Sequence, residues 1–209
     1  MRRKPNPQQR RRELCDAAIR LLADDGLKGV SHLKVDRKAG VPDGSASFYF
    51  RTRSALLHAV AERVADLDLK DLAAATAIPE DSGSSASGLA TLVVRSGTGV
   101  RRIRAKARNE LALEAARDPV LAEKLRGNDD RFFGLIREAV VRLQPDGADA
   151  AAVDEQTYAV MMFISGVMLT RSSGETGTRT AEELDAIISG IVAGVGAVGD
   201  QPRSRPDQR

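Results

Sequence analysis

Residues 31–53 read SHLKVDRKAGVPDGSASFYFRTR. Ser31 is a good N-cap, and Val35 and Ala39 fall on one side of the short helix that it starts. Gly40-Val41 supplies a tight turn. A second helix follows and ends in the aromatic cluster Phe48-Tyr49-Phe50, with Arg51 and Arg53 just beyond. Two short helices across a glycine-containing turn, bordered by basic residues, form the pattern of a helix-turn-helix that reads DNA.

The flanking segments extend this pattern. Arg10–Ala23 is amphipathic, with Leu14, Ala18 and Leu21 on one face, and Gly26 ends it. Thr52 caps a long connecting helix in which Leu56, Val60 and Val64 repeat at helical spacing to about Ala75. The segment PEDSGSSASG, residues 79–88, is a loop by composition. Helical patterns resume at Leu89, with an interruption at Gly97–Gly99, and run to Ala116. Asp118-Pro119 then starts a helix that reaches Leu143. Two more are expected over Asp149–Arg171 and Thr180–Val198. The fold class is therefore all-α: a three-helix N-terminal domain, a connecting helix over 54–75 and a helical bundle, about nine helices in all. The expected divisions are a flexible basic arm at 1–9, the helix-turn-helix domain at 10–53, a helical body at 54–198 and a disordered tail at 199–209.

Composition agrees with an all-α chain. Of 209 residues, 42% are hydrophobic, mostly Ala, Leu and Val, with five Phe, two Tyr and no Trp. The single Cys15 falls on an apolar face and reads as a core residue; with only two separated His, the chain offers no metal-ligand cluster and no disulfide. No cofactor is implied. The N-terminus is basic without an apolar run behind it, and Val160–Leu169 is far short of the about 18 residues that span a bilayer. No signal peptide or membrane partner is expected, and the protein is placed in the cytoplasm, on the nucleoid.

Charge is unevenly distributed. Residues 1–53 carry thirteen Lys/Arg against six Asp/Glu, and the remainder nineteen against twenty-three. One end of the chain is built to meet a polyanion. The arm contributes Arg2, Arg3, Lys4, Arg10, Arg11 and Arg12 with no acid, a composition suited to an adjacent minor groove.

From Arg10 to Leu57 the chain resembles the DNA-binding domain of the TetR family of transcriptional regulators. The features that carry this are the first helix ending in DDG, Ser31 as cap, Ala39-Gly40-Val41 at the turn, Gly44-Ser45 opening helix three, and Phe50 and Arg53 before Leu56-Leu57. The resemblance implies that helix three lies in the major groove of double-stranded DNA. Asp43, Gly44, Ser45, Ser47 and Phe48 would then be nearest the base edges, Asp43 accepting from a cytosine and Phe48 meeting a thymine methyl. Ser31, Tyr49 and Arg53 suit phosphates, and His32 and Lys34 reach phosphate or guanine. Arg53 opposes the dipole of its own helix, which its use on DNA would explain. His58 reads as an ordinary surface or packing residue, and Phe50 as core. Four positions depart from the family pattern: Leu33 replaces a polar or basic residue, Asp36 a small Ala, Ala46 a larger aliphatic and Ser47 a Tyr. Asp36 must then be partly exposed or have a partner for its carboxylate.

The body shows two unusual helices. Residues 150–171 are apolar nearly all the way round and must be covered on both sides. The last helix adds Ile187 and Ile191, with Gly190 and Gly194 four apart, a spacing that permits close helix approach. Together with Phe163 and Val167 these residues look like a four-helix homodimer interface, which would present two recognition helices to a palindromic operator. The resemblance further implies a small-molecule effector pocket within helices four to eight. Phe132, Phe133, Tyr158, Met161 and Met162 are candidates for its lining, with Asn109 and Glu110 as polar contacts.

A ligand-relieved repressor is the function read from these features. An enzyme is disfavoured, since no phosphate-cradling Gly loop, metal spacing or nucleophile–base pair is visible. The alternative is a helical small-molecule-binding or adaptor protein without DNA binding. Removing residues 1–9 is expected to weaken DNA binding and to flatten its salt dependence by about two to three units of slope. Binding titrations over a range of salt concentrations test this, and an unchanged slope would count against the arm.

Overall fold

The computed structural model describes residues 6–77, 87–143, 149–174 and 179–199. Among them lie nine α-helices and a 3-10 turn at Leu27–Gly29. α1 spans Pro7–Asp25, α2 His32–Ala39, α3 Ser45–Tyr49, α4 Arg53–Thr76 and α5 Gly88–Arg95. α6 spans Gly99–Ala115, α7 Pro119–Arg142, α8 Ala150–Ser173 and α9 Ala181–Gly199. The expected loop at 79–88 and the tail at 199–209 fall largely outside the described residues.

α1 starts three residues before the amphipathic pattern does. Asn6 accepts from the Gln8 backbone N–H at 3.0 Å, and Pro7 fills a first-turn position whose missing N–H costs nothing. Pro7–Gln9 therefore belong to the helix and not to a flexible arm. A truncation that spares α1 ends at residue 5.

Two apolar cores organise the chain. In the first, Leu14, Ala18 and Leu22 of α1 meet Val35 of α2, Phe50 and Leu56. Ala107 and Leu111 of α6 and Leu121 of α7 close it. The boundary expected at residues 53–54 thus falls in the first turn of α4, within one continuous core. Cys15 is buried here as expected; burial, with Asp16 beside it, pushes its thiol up to about 12, and it is chemically inert. The second core joins α4, α5 and α7 to α8 and α9 through Leu72, Val93, Ile136, Val160, Leu184 and Ile188.

The turn between α2 and α3 is fixed by a single side chain. Asp36 is fully buried, and its two oxygens accept from the backbone N–H groups of Gly44 at 2.8 Å and Ala46 at 2.7 Å. These N–H groups belong to the start of a five-residue helix and have no intrahelical partner. The Asp36 carbonyl meanwhile accepts from Val41 at 3.0 Å. Gly40 at φ 66° and Gly44 at φ 93° hold the left-handed conformations that such a tight reversal needs. A partner for the carboxylate, and no exposure, is what the Ala-to-Asp departure required.

A second polar junction ties α4 to α7. Asp118 caps α7 by accepting from Val120 at 3.1 Å and Leu121 at 3.0 Å. It also lies 2.8 Å from His58 Nε2 and accepts from Ser54 Oγ at 2.9 Å. His58 is therefore part of an interhelical junction.

Replacing Asp36 by Ala leaves two helix-start donors unsatisfied and is expected to cost about 2–3 kcal/mol. D36N, which keeps one acceptor, is expected to lose less; denaturant midpoints at constant m-value check both. The His58 contact first, then the Leu121 N–H, hold the Asp118 carboxyl down at about 2. A depressed carboxyl stabilises the fold fully above its unfolded value near 4 and loses that contribution as pH falls towards 2. The stability gap between wild type and D118N is therefore expected to shrink between about pH 4 and 2, which acid unfolding of both proteins measures.

Candidate functional site

The α2–α3 pair presents an exposed face. Ser31 caps α2, its Oγ accepting from Lys34 N–H at 3.3 Å, and Lys34 itself is exposed with no side-chain partner among the described residues. Asp43, Gly44 and Ser47 are exposed, and Ser45 is half-buried. The two serine hydroxyls donate locally, Ser45 to the Pro42 carbonyl at 2.6 Å and Ser47 to Gly44 at 2.9 Å. Asp43 lies 3.9 Å from Arg37. Phe48 is 81% exposed, an unusual state for a large apolar side chain, and it meets Tyr49 edge-on at 5.2 Å between ring centroids.

Behind this face the supporting contacts point inward. Phe50 is buried, as expected, and Arg11 of α1 lies 4.5 Å above its ring while donating to the Tyr49 carbonyl at 2.9 Å. His32 Nε2 lies 2.6 Å from the Phe50 carbonyl. Arg53 donates to the carbonyls of Val30 at 3.2 Å and of Leu27, and lies 3.9 Å from Glu114. The guanidinium that opposes the α4 dipole is thus occupied by intramolecular acceptors. His32 and Arg53 are thus tied into the frame, Arg53 with its side chain still partly exposed.

A cavity of about 170 Å³ lies between α4, α5, α6, α7 and α8. Phe132 and Met161 line it, as do Val93, Ile136 and Ile164. Phe133, Tyr158, Met162, Asn109 and Glu110, which the sequence places with them, are not in the lining. The helical repeat explains the α8 residues: Met161, Ile164, Ser165 and Met168 share the cavity side, while Tyr158, Met162, Gly166 and Leu169 form an exposed stripe. Phe133 is one position away from the wall that Phe132 occupies, half-buried elsewhere. Asn109 donates to Ser172 Oγ at 2.9 Å. Glu110 reaches across the chain and accepts from the Leu27 backbone N–H at 3.1 Å. It joins the body to the helix-turn-helix domain.

One wall of the cavity is charged, and sequence reasoning missed it. Arg101, Arg104 and Arg108 of α6 face Asp68 and Asp71 of α4. The signal was present as RRIRAKAR, where residues 101, 104 and 108 share a helix face, opposite two aspartates three apart. Nothing local reveals that two helices turn these charges towards each other. Asp71 is held below its usual range by Arg104 and Arg101 against an opposing burial effect.

The exposed α8 stripe continues onto α9. Phe163, Val167, Ile187 and Ile191 are half-buried, and Gly190 and Gly194 are exposed. A Cβ added at Gly166, Gly190 or Gly194 would meet no atom of this chain. Among the described residues there is no group of His, Cys, Asp or Glu that could hold a metal ion, and no helix long and apolar enough to cross a membrane.

Comparison with known proteins agrees with this architecture. Residues 14–60 match the family model for bacterial regulatory proteins of the tetR family, and residues 80–194 match the tetracyclin repressor-like C-terminal domain. No curated protein matches the chain. Among solved structures, a transcriptional regulator from Rhodococcus sp. Rha1 is 21% identical, with TM-score 0.66 over 91% of this chain and 96% of that one. A Saccharomonospora viridis protein described as a transcriptional regulator, solved in complex with choline, is 18% identical, with TM-score 0.69 over 89% and 96%. The multidrug binding protein EbrR, complexed with imidazole, is 22% identical, with TM-score 0.61 over 90% and 96%. With both of its halves matched by the family's models, the chain belongs to the TetR family of DNA-binding transcriptional regulators, which are not enzymes.

Proposed function

We propose that the protein is a homodimeric repressor that occupies a palindromic operator and leaves it when a small molecule enters the body cavity. The observation that carries the DNA-facing half is Phe48, a large apolar ring standing in solvent on the helix that follows the turn. A thymine methyl in the major groove is a fitting cover for it. Asp43, Gly44, Ser45 and Ser47 share that helix start and are the remaining base-facing candidates. Ser31, Lys34 and Tyr49 serve phosphates, while His32 and Arg53 position the elements that carry them. The protein acts on the nucleoid in the cytoplasm.

A second copy seated on α8 and α9 explains the exposed stripe and the open glycines. It would cover Tyr158, Met162 and Leu169, complete the burial of Phe163, Val167, Ile187 and Ile191, and approach closely at Gly190 and Gly194. A two-fold pair would present its recognition helices about 34–36 Å apart, one turn of duplex. That two proteins of this fold were solved with choline and with imidazole supports a small-molecule occupant for the body. Phe132 and Met161 are the sequence-predicted residues placed to meet it.

Selection of binding sites from genomic fragments, followed by footprinting, tests the reading; recovery of no preferred duplex sequence would overturn it. On the selected operator, F48A is expected to weaken binding about tenfold or more and to relax preference at one position of each half-site. K34A is expected to weaken binding to all sequences alike and to lower the salt slope by about one.

A further inference from the structure

The charged wall of the cavity has an uneven hydrogen-bond inventory. Asp68 Oδ1 lies 2.9 Å from Arg104 Nε, and Asp68 Oδ2 accepts from Arg108 Nη1 at 2.7 Å. Asp71 accepts from Arg101 Nε at 3.0 Å and Nη2 at 3.1 Å, and from Arg104. Every oxygen of the two carboxylates therefore faces a guanidinium. The donors are in excess, because a guanidinium carries five N–H groups. Arg108 spends one of them on Asp68, and its charge also acts on Asp129 without a hydrogen bond between them. The wall is saturated in acceptors and has donors to spare.

The opposite walls are mainly apolar, built from Val93, Phe132, Ile136, Met161 and Ile164, with Ser96, Asp129 and Ser165 as their polar members. The volume of about 170 Å³ is close to that of a cavity, about 150 Å³, that holds a benzene. An occupant must pair an acceptor-only head with an apolar body about one ring in size.

We infer that the cavity binds a monocarboxylate carrying a single ring or an aliphatic body of similar size, its head held by Arg108 together with Arg101 or Arg104. This deepens the effector reading above and rests on it. Asp129 is the group that would favour a cation instead, since it lines the same cavity, but it already faces the charge of Arg108. Burial and the neighbouring Asp130 raise its carboxyl, while Arg108 lowers it. A cation there would also stand close to three guanidiniums.

The arrangement suggests how such a ligand would be felt. A carboxylate on Arg108 competes with Asp68, and so loosens a tie between α6 and α4. Further along, α6 carries Glu110, which grips the Leu27 N–H, and Glu114, which faces Arg53. The helix whose arginines meet the ligand is also the one that holds the frame of the DNA-binding face.

Calorimetry on the full chain with benzoate, phenylacetate and cyclohexanecarboxylate, against benzamide and benzylammonium at matched ionic strength, tests the assignment. At least one carboxylate is expected to bind, with benzamide about tenfold weaker and benzylammonium weaker still. R108Q is expected to weaken carboxylate binding about tenfold, and R108K to restore part of it. Absence of binding by all three carboxylates at millimolar concentration, or equal or tighter binding of benzamide or benzylammonium, overturns the inference; because these are wild-type measurements, they stand even if R108Q fails to fold. Operator release is followed in parallel. If benzylammonium binds and releases DNA, the effector reading survives and the carboxylate assignment falls. If a carboxylate binds with the stated dependence on Arg108 while operator occupancy is unchanged, the assignment stands and the effector reading falls.

Discussion

The backbone donors at the start of α3 are too few turns from anything to be satisfied by their own helix, and the buried side chain of Asp36 is what receives them. A five-residue helix has no independent stability. Its orientation relative to α2 depends on a short polar clamp from one helix to the first turn of the next, with two left-handed glycines making the reversal possible. Everything the exposed face offers follows from that clamp. Phe48 and Ser47 lie where they do because Ala46, between them and the clamp, is fixed in the core.

The same logic of polar contacts between helices governs the join between the two halves. The first apolar core already includes Leu111 and Leu121, so the reader and the body do not come apart cleanly. Glu110 and Glu114 add directional contacts to the turn at Leu27 and to Arg53. Earlier on the same helix, Arg101, Arg104 and Arg108 face the cavity. α6 thus connects a solvent-shielded charge network to the scaffold of the recognition surface. Neither half can shift along α6 without a change in contacts made by the other.

The sequence was a good guide where periodicity and caps are local. Ser31, Thr52, Asp118 and Asp149 cap the helices they were expected to start. It erred where a helix carries apolar residues on every side. Tyr158 and Met162 were grouped with Met161 because composition does not say which face of α8 turns to the cavity. Glu110 and Asn109 resemble ligand contacts in sequence because they interrupt an apolar face, but their partners are Leu27 and Ser172, 83 and 63 positions away. Arg53 was correctly seen as a misfit at its helix start; the acceptors that absorb its charge lie on a turn 23 and 26 residues earlier.

Helix number, most helix limits, the turn chemistry and the family of the reader were written in the sequence, because each depends on contacts within a few residues; the start of α1 at Pro7 was not. The partners of Asp36 lie only eight and ten residues away and were still not specified, since a carboxylate can be satisfied by solvent as readily as by a neighbouring N–H. The charge ladder of the cavity, the inward duties of His32 and Arg53, and the division of α8 into a cavity side and an open side were decided by tertiary packing alone. Long-range burial determines whether a guanidinium meets water, a carboxylate or a ligand, and no local spacing rule encodes that choice.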